Sequence, residues 1–595
     1  MVSGGGEVGF SVGISARQPG RSSFPVDLKV LWFRIDRFGT HCNMSSTYLG
    51  VPGLLVLAGL WVCSKLVLYA WRGPQTTTTR LRGPLSSSLL FGLSRELIES
   101  PDSSLAYEAW AASYGPVFQV PLMLGRKKVV LTDPKALLHF YSSERTIYGR
   151  TESDRLFVGR IFGRGVLWAE GDMHKRQRKA LTPAFSNAAI RRLTAVFFDS
   201  AYKLKSLWDA ILETAPDGAV IDVEEWMNRV AWVSLTTSYG PVVELIFVFS
   251  LDSIGIAGFS HDFRYLDGQQ SPVTAAFEAM SADTMGLMTH MVFALSFTFP
   301  ILLSVPTQRM RLFWELRRSL NVIAERLLAN TRREKEGGVA EELTDKSVIG
   351  LLLKAELSDG ELYMTQEEVV AQNVLLLAGY ETTSISLTWA LIELARHPEI
   401  QDRLRKDLLA RFAGADPTWD QLVYELPYLD ATVLEVLRLH PPVIETLREA
   451  FHDDVIPLGT PVVTPSGETI SNITIAKGTT VFVPIRGVNR SEALWGPDAK
   501  DFKPERWFED VTVPAKDLQG HRHLLTFHDG PRTCLGKSFA LAEFKAVLSV
   551  LIRSYVFEFP DGPETKIENH VTIVPRPKVA GQDGTKVPLR VRRVE

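Results

Sequence analysis

Residues 527–536, Phe-His-Asp-Gly-Pro-Arg-Thr-Cys-Leu-Gly, are the stretch from which the fold of this 595-residue chain can be inferred. Cys534 has Gly530 four residues before it, Gly536 two residues after it, and the positive charge of Arg532 close by. Glycines lack a Cβ and let a backbone pass close to a bulky neighbour. A thiol that combines these neighbours is predicted to act as a ligand or a reactive group.

The residues that follow the cysteine have apolar side chains at helical spacing over 537–554. This pattern places Cys534 at the N-terminus of a helix, where the helix dipole stabilises a thiolate. The alternative is an inert core cysteine, which is the usual fate of a lone thiol. Finding Gly530, Gly536, Arg532 and Phe527 together at these offsets has a chance of roughly one in 10⁵ at average composition, which argues against that alternative.

A second informative segment lies inside the helical pattern of residues 365–396. Thr365 and Glu368 form a capping-box pattern at its start. In its middle, the polar run Ala-Gly-Tyr-Glu-Thr-Thr-Ser at 378–384 interrupts apolar residues. A buried acid beside threonines is costly in a helix centre unless it has a task. The alternatives are a solvated kink or a hydrogen bond to a neighbouring helix.

Two further segments carry paired charges. Glu435 and Arg438 stand three residues apart and share one face of a predicted helix, a spacing that alone usually marks a surface contact. Arg506 lies in the segment Phe-Lys-Pro-Glu-Arg-Trp at 502–507.

These four motifs lie along residues 80–595 in the order that the cytochrome P450 monooxygenases have, and they resemble the motifs of that family. The resemblance implies that Cys534 is the proximal thiolate ligand of a b-type haem iron, whose electron density favours O–O cleavage. It implies that Thr382 hydrogen-bonds dioxygen on the opposite side and that Glu381 helps to relay protons. Both residues are therefore expected to be catalytic.

The resemblance also implies the other haem contacts and a structural triad. Arg178 stands in the arginine position of a Trp-x-x-x-Arg pattern, although His174 replaces the tryptophan; the alternative for Arg178 is a solvated helix face. The expected cofactor-binding residues are Cys534, Arg532, Arg448, Arg178, His174, Phe527, Gly530 and Gly536. The expected structural triad is Glu435, Arg438 and Arg506.

The implied reaction is insertion of one oxygen atom from O2 into a small lipophilic substrate. Fungal members, especially those of basidiomycetes, are most similar, which favours a secondary metabolite such as a terpenoid or polyketide. Fatty acids or other lipids are the alternative substrates. A non-oxygenating haem-thiolate protein is an alternative function, and Thr382 and Glu381 argue against it because neither is needed to hold haem.

The composition of the chain narrows the classes of molecule that it is expected to bind. Lys and Arg number 65 against 68 Asp and Glu, for a net charge of −3, so no basic excess indicates nucleic acid. Three cysteines, Cys42, Cys63 and Cys534, exclude a disulfide framework. The chain has no nucleotide-binding glycine motif with an acidic ribose reader, so NADPH electrons are expected through a partner, NADPH–cytochrome P450 reductase, with cytochrome b5 as an optional second donor.

The N-terminal part is predicted to contact membrane lipid. Residues 49–71 are apolar and long enough for one transmembrane helix, with a cleaved signal peptide as the alternative. Residues 1–48 form an N-terminal extension, of which residues 1–43 are absent if translation starts at Met44, and 72–88 form a hinge or linker. The basic residues after Trp71 then favour a single-pass endoplasmic reticulum protein with its catalytic body in the cytosol.

The rest, 89–595, is expected to be one haem-thiolate monooxygenase domain with a mainly α fold and small β-sheets. Helical patterns occur at 185–215, 310–335, 365–396, 399–412, 421–440 and 537–554, and strand patterns near 117–131, 462–485 and 570–592. Residues 233–250 interrupt a helical pattern with β-branched residues and a Gly-Pro break. They are either a retained intron or a genuine insertion.

Overall fold

Helices make up most of the described chain in this computed structural model. The described residues are 78–228, 300–336, 348–508 and 514–594, with short gaps at 87, 89–90, 101, 358–359, 413–414, 571–573 and 583, plus a few positions at 59–64 and 289–296. Residues Gln75–Glu595 form one compact unit. The predicted extension 1–48, most of the predicted anchor 49–71 and the segment 233–250 lie outside the described residues.

The α-helices span the following bounds: Ser94–Glu99 (α1), Ser103–Tyr114 (α2), Pro134–Ser142 (α3), Glu152–Ile161 (α4), Gly171–Leu181 (α5), Asn187–Glu213 (α6), Val223–Asn228 (α7), Gln308–Glu336 (α8), Val348–Glu356 (α9), Gln366–Val370 (α10), Val374–Arg396 (α11), Pro398–Phe412 (α12), Trp419–Tyr424 (α13), Pro427–Leu439 (α14), Ile485–Asn489 (α15), Glu492–Trp495 (α16) and Lys537–Ser554 (α17).

The strands are Val117–Pro121 (β1), Lys127–Leu131 (β2), Tyr148–Gly149 (β3), Ala219–Asp222 (β4), Thr446–Ala450 (β5), Asp454–Val463 (β6), Thr469–Ile475 (β7), Thr480–Val483 (β8), Tyr555–Glu558 (β9), Ile567–His570 (β10), Arg576–Val579 (β11) and Pro588–Arg593 (β12). They form a five-stranded sheet in the order β1-β2-β8-β5-β3, a three-stranded sheet in the order β4-β12-β9, and the pairs β6-β7 and β10-β11. The mainly α fold with small sheets is confirmed.

The core surrounds α11, which packs against α7, α14 and α17. From Ser384 to Leu394 its side chains are buried on all faces, which is typical of a helix through the centre of a large domain. The helical run Gln366–Arg396 is, within the part of the chain that the structure describes, the one stretch long and apolar enough to cross a membrane, and most of it is buried against protein.

The predicted helix over 365–396 is interrupted. Its capping box forms as predicted, with the Thr365 hydroxyl accepting from Glu368 N–H and the Glu368 carboxylate accepting from Thr365 N–H. A 3₁₀ turn at Ala371–Asn373 then separates α10 from α11. There the buried Gln372 amide donates to Glu368 O at 2.9 Å and accepts from Val166 N–H at 3.1 Å. The Val166 contact comes from 206 positions away in the sequence, so helical periodicity alone could not reveal the break.

Two other boundaries differ from the prediction. The pattern over 421–440 becomes α13 and α14, because Pro427 occupies the first turn of the second helix and starts it anew. The predicted linker is part of the body from Thr78 onward. Thr79 N–H donates to Thr474 O at 2.9 Å, and the Thr78 hydroxyl accepts from Ala476 N–H at 3.0 Å. A threonine run reads as a linker from sequence, but here its hydroxyls bind the edge of β7.

Candidate active site

The loop that carries Cys534 is closed by short-range hydrogen bonds. Cys534 N–H donates to Phe527 O at 2.8 Å, and the Thr533 hydroxyl donates to Gly530 O at 2.7 Å across a 3₁₀ turn at Gly530–Arg532. Gly536 is the N-cap of α17. Cys534 therefore precedes the helix by three residues, as the sequence pattern predicts, and the buried Phe527 ring lies beneath the loop in the main apolar core.

The two glycines of the loop differ in whether the surrounding backbone requires a residue without a Cβ. Gly530 has φ +64°, and a Cβ there would stand 2.3 Å from Tyr141 O. The loop therefore passes close to the backbone of the last turn of α3. Gly536 has φ −88°, and a Cβ there would meet Phe185 at an ordinary 3.8 Å. The protein itself thus requires glycine at 530 and not at 536.

The Cys534 side chain is exposed, although protein atoms surround it densely. A thiol with both properties faces an interior space. Burial raises the pKa of the Cys534 thiol, while the Gly536 N–H and the charges of Arg178 and Lys537 act in the opposite direction. The helix terminus favours the thiolate through the Gly536 N–H, but desolvation of the thiol has the larger, opposite effect on its pKa in the chain alone. A coordinating metal ion deprotonates a thiol outright.

The motif in α11 presents one turn to an open space. Ala378 is exposed and Gly379 and Thr382 are half-buried, while residues on both sides of them along the helix are buried. The Thr382 hydroxyl donates to Ala378 O at 2.7 Å, within its own helix. Its oxygen lone pairs can still accept a hydrogen bond from a group in that space.

The Glu381 side chain points away from the open space that Thr382 borders. Its carboxylate is buried and lies 3.4 Å from an Arg576 nitrogen on β11. Burial raises the pKa of Glu381, and Arg576 and the Val574 N–H oppose that shift. Because consecutive helical residues are about 100° apart, Glu381 and Thr382 occupy different environments. The structure does not bring these two predicted catalytic side chains together.

The expected haem-binding cations converge near Cys534. Arg178 on α5 is close enough for Cys534 to affect its pKa, and it makes no side-chain hydrogen bond or ion pair within the described ranges. His174, one turn earlier, is buried, and burial together with Arg532 and Arg178 lowers its pKa to about 3. His174 is therefore neutral. Its ring can donate one hydrogen bond, but it contributes no positive charge.

The other two arginines already have carboxylate partners. Arg532 pairs with Glu170 and donates to Ala169 O at 3.0 Å, but its buried Nε has no hydrogen-bond partner in the described part of the chain. Arg448 Nε lies 2.8 Å from the buried Glu144 carboxylate, although the N–H is not directed at the oxygen. Sequence reasoning missed Glu170 and Glu144, and no local pattern marks either as an arginine partner.

Glu435, Arg438 and Arg506 form one buried network. Arg438 binds both Glu435 oxygens, with Nε–Oε2 at 2.9 Å and Nη2–Oε1 at 2.8 Å, and Arg506 Nε lies 3.4 Å from Glu435 Oε1. The Glu435 carboxylate also accepts from Lys503 N–H and from Trp507 Nε1, each at 3.0 Å. These last two contacts were not predicted. The contacts with Lys503, Arg506 and Trp507 tie α14 to the 502–507 segment, so the network serves structure.

This donor set fits a haem. The chain offers a thiol that faces an interior space and two arginines, Arg178 with no side-chain partner and Arg532 with a buried Nε without one, among the residues that the structure describes. A separate groove of about 640 Å³ lies between the end of α4 and α8, lined by residues such as Arg160, Trp314 and Arg318. It contains none of the predicted site residues.

Comparison with known proteins agrees with this geometry. The family model for cytochrome P450 matches residues 83–580. Cytochrome P450 monooxygenase claQ of Ampulloclitocybe clavipes is 57% identical over 547 residues, which cover 91% of this chain and 98% of that protein. Cytochrome P450 monooxygenase 128 of Postia placenta is 35% identical over 540 residues, which cover 87% of this chain and 94% of that protein. With its thiol loop, central helix and buried Glu-Arg network in the family's order, this chain belongs to the cytochrome P450 family and is a monooxygenase of the fungal type.

Proposed function

We propose that this monooxygenase inserts one oxygen atom from O2 into a lipophilic secondary metabolite, such as a terpenoid or a polyketide. NADPH supplies the electrons through NADPH–cytochrome P450 reductase, and cytochrome b5 is an optional second donor. The observation that carries the proposal is a pair of open positions, exposed Cys534 in a half-buried loop and the Ala378–Thr382 turn in the otherwise buried helix α11.

Different side chains of the protein would hold different parts of the haem. Haem, when bound, supplies the iron at which O2 is activated. The Cys534 sulfur would hold the iron. Arg178, Arg532 and Arg448 would hold the propionates, and neutral His174 would add one hydrogen bond. For Arg448 this requires sharing its guanidinium with Glu144.

The Ala378–Thr382 turn of α11 would bind substrate and help to hold a proton. Ala378 and Gly379 offer only small apolar surface, so they leave room for a large lipophilic molecule and exclude water when it binds. Because Ala378 O accepts the Thr382 hydroxyl proton, the Thr382 Oγ1 atom would present its lone pairs to a proton donor in the open space and so hold that proton in place.

The relatives support specialised metabolism. Five monooxygenases of one fungus, among them claQ, claO and claU, are 53–57% identical to this chain. Several similar oxygenases in one organism favour enzymes that divide the positions of one substrate class between them. Hydroxylation of fatty acids or other lipids is the second candidate, because the apolar α11 turn suits those substrates too.

A reconstituted screen tests this proposal. The full-length protein is incorporated with NADPH–cytochrome P450 reductase into lipid vesicles and offered terpenoids, polyketides and fatty acids in parallel. We expect a thiolate-type Soret band in the CO-bound reduced protein and an oxygenated product only with the first two classes. Loss of that band in Cys534→Ser serves as the ligand control. Product from fatty acids alone would favour the second candidate, and absence of the band in the wild type would refute the function.

We also propose a single-pass endoplasmic reticulum location with the body in the cytosol. The apolar 49–71 segment and the basic residues after it support this orientation. The truncation that tests it should begin at Gln75, since Thr78 and Thr79 bind β7. We expect the truncated body to keep its CO spectrum and to lose membrane retention. Protection of the body from protease in intact microsomes would contradict the orientation.

A further inference from the structure

A buried carboxylate, that of Glu144, contacts both the cysteine loop at 527–536 and strand β5. Glu144 follows the end of α3, and its side chain is fully buried. Its two oxygens lie 3.1 and 3.2 Å from His528 Nε2 in the loop, and its Oε1 lies 2.8 Å from Arg448 Nε on β5. One carboxylate therefore connects the expected thiolate loop to an arginine that is expected to hold a haem propionate.

His528 has an unusual backbone conformation. Its φ of +63° lies in the left-handed region, which is uncommon for a residue with a Cβ. Its N–H donates to Leu525 O at 2.8 Å, and its ring packs edge-on against Tyr141 with the ring centroids 4.7 Å apart. A residue keeps such a conformation where its neighbours fix it. The contact between His528 and Glu144 is therefore part of the loop's own structure.

Glu144 carries a negative charge at neutral pH. Burial raises the pKa of its carboxyl, but His528, Arg448 and Arg532 together have the larger effect, and the pKa lies below its ordinary value. An ionised carboxylate accepts hydrogen bonds and donates none. Glu144 therefore presents a fixed negative charge to the arginines around it.

The hydrogen-bond donors around Glu144 need more acceptors than this carboxylate supplies. Arg448 Nε, Arg532 Nε and the Tyr141 hydroxyl are buried, and none has a hydrogen-bond partner among the residues that the structure describes. Buried donors are rarely left without an acceptor, and the propionates of a bound haem would supply acceptors here. Glu144 and the propionates would then share the positive charge of the same arginines.

We propose that Glu144 is a positioning residue that acts through Arg448, and that its negative charge lowers the reduction potential of the bound haem. This rests on the proposed role of Arg448 in holding a propionate. Reduction adds one electron, which the reductase delivers, and needs no proton at this site. Because Glu144 offsets part of the positive charge of the propionate arginines, it makes the added electron less favourable.

The test is a spectroelectrochemical titration of the full-length, haem-loaded protein at one pH and without substrate. Glu144→Gln removes the charge with little change in shape. We expect the equilibrium constant for one-electron reduction to rise about tenfold, which raises the potential by about 59 mV. Glu144→Asp keeps the charge on a shorter side chain, and its potential should stay near that of the wild type. A purely structural role predicts the reverse order, because aspartate loses contacts that glutamine can keep.

Two further variants complete the experiment. If Glu144→Gln does not retain haem, Glu144→Ser provides the same neutral comparison, because it leaves room for a water molecule beside Arg448. Glu361→Gln makes the same chemical change at an exposed carboxylate paired with Lys179 and is the matched control, whose potential should not change.

An unchanged or lower potential in the neutral variant would overturn the inference. A shift in Glu144→Asp as large as that in the neutral variant would also overturn it, since the charge would then not be the cause. The proposed function can fail independently, because it depends on the thiolate-type band and an oxygenated product in the wild type.

Discussion

Replacing Glu435 by glutamine should destabilise the body far more than its small change in shape suggests. The carboxylate accepts from Arg438 Nε and Trp507 Nε1 at Oε2, and from Arg438 Nη2, Lys503 N–H and Arg506 Nε at Oε1. A glutamine must place its NH2 group at one of these two positions. At least two buried donors would then face another donor.

The cost follows from that count. Each buried donor left unsatisfied costs about 1–3 kcal/mol, and removing one partner of a buried ion pair costs about 3–5 kcal/mol in all. A body of about 500 residues unfolds with an entropy near 1 kcal/mol per kelvin, so the expected fall in the unfolding midpoint is roughly 3–5 °C.

The assay is thermal unfolding of the CO-competent, haem-loaded protein at a fixed scan rate, because large proteins often unfold irreversibly. The matched control is again Glu361→Gln, which makes the same chemical change at an exposed pair and should leave the midpoint unchanged. A midpoint for Glu435→Gln within about 1 °C of the wild type would refute the reasoning, since it would mean that the network adds little to stability.

Four further changes have defined outcomes. Gly530→Ala should lower the haem-loaded yield, because the positive φ and the 2.3 Å approach to Tyr141 O cost about 1–3 kcal/mol; full yield would contradict this. Thr382→Ala should keep the thiolate-type spectrum but produce more peroxide per NADPH, and unchanged product per NADPH would count against its role. The folded-state pKa of Glu224, about 8, is raised above its ordinary 4.5, so the stability it contributes is complete below pH 4.5 and disappears as pH rises through 8; Glu224→Gln should flatten the unfolding midpoint over that window. Deletion of residues 233–250 should raise the yield of haem-loaded protein, whereas loss of folding would show the segment to be genuine.

Local signals in the sequence predict much of this fold. The helical pattern over 185–215 corresponds to α6 at Asn187–Glu213, and the pattern over 537–554 matches the bounds of α17. The capping box at Thr365 and Glu368 forms with both hydrogen bonds. Each of these features depends on residues within a few positions of one another, where side-chain type and spacing decide the outcome.

Long-range pairing is what the sequence does not reveal. Glu144 and Arg448 are about 300 positions apart, yet they are 2.8 Å apart in space. The hydroxyls of Thr78 and Thr79 look like linker residues until β7 lies beside them. The pKa of the Cys534 thiol is another property that the local sequence does not reveal. Burial by surrounding protein raises this pKa more than the start of the following helix lowers it.

The clearest case concerns two neighbours in one motif. Glu381 and Thr382 read as a single relay from sequence, but helix geometry gives them different surroundings. The Thr382 hydroxyl is fixed by its own helix and borders the open turn, whereas the Glu381 carboxylate is fixed by Arg576, nearly 200 positions later. A change near the C-terminus, at Arg576, can therefore alter Glu381 without touching Thr382. For this reason, variants of Arg576 and Thr382 should affect coupling by different routes, and a double variant that merely repeated the Thr382→Ala phenotype would indicate that Glu381 acts only through Thr382.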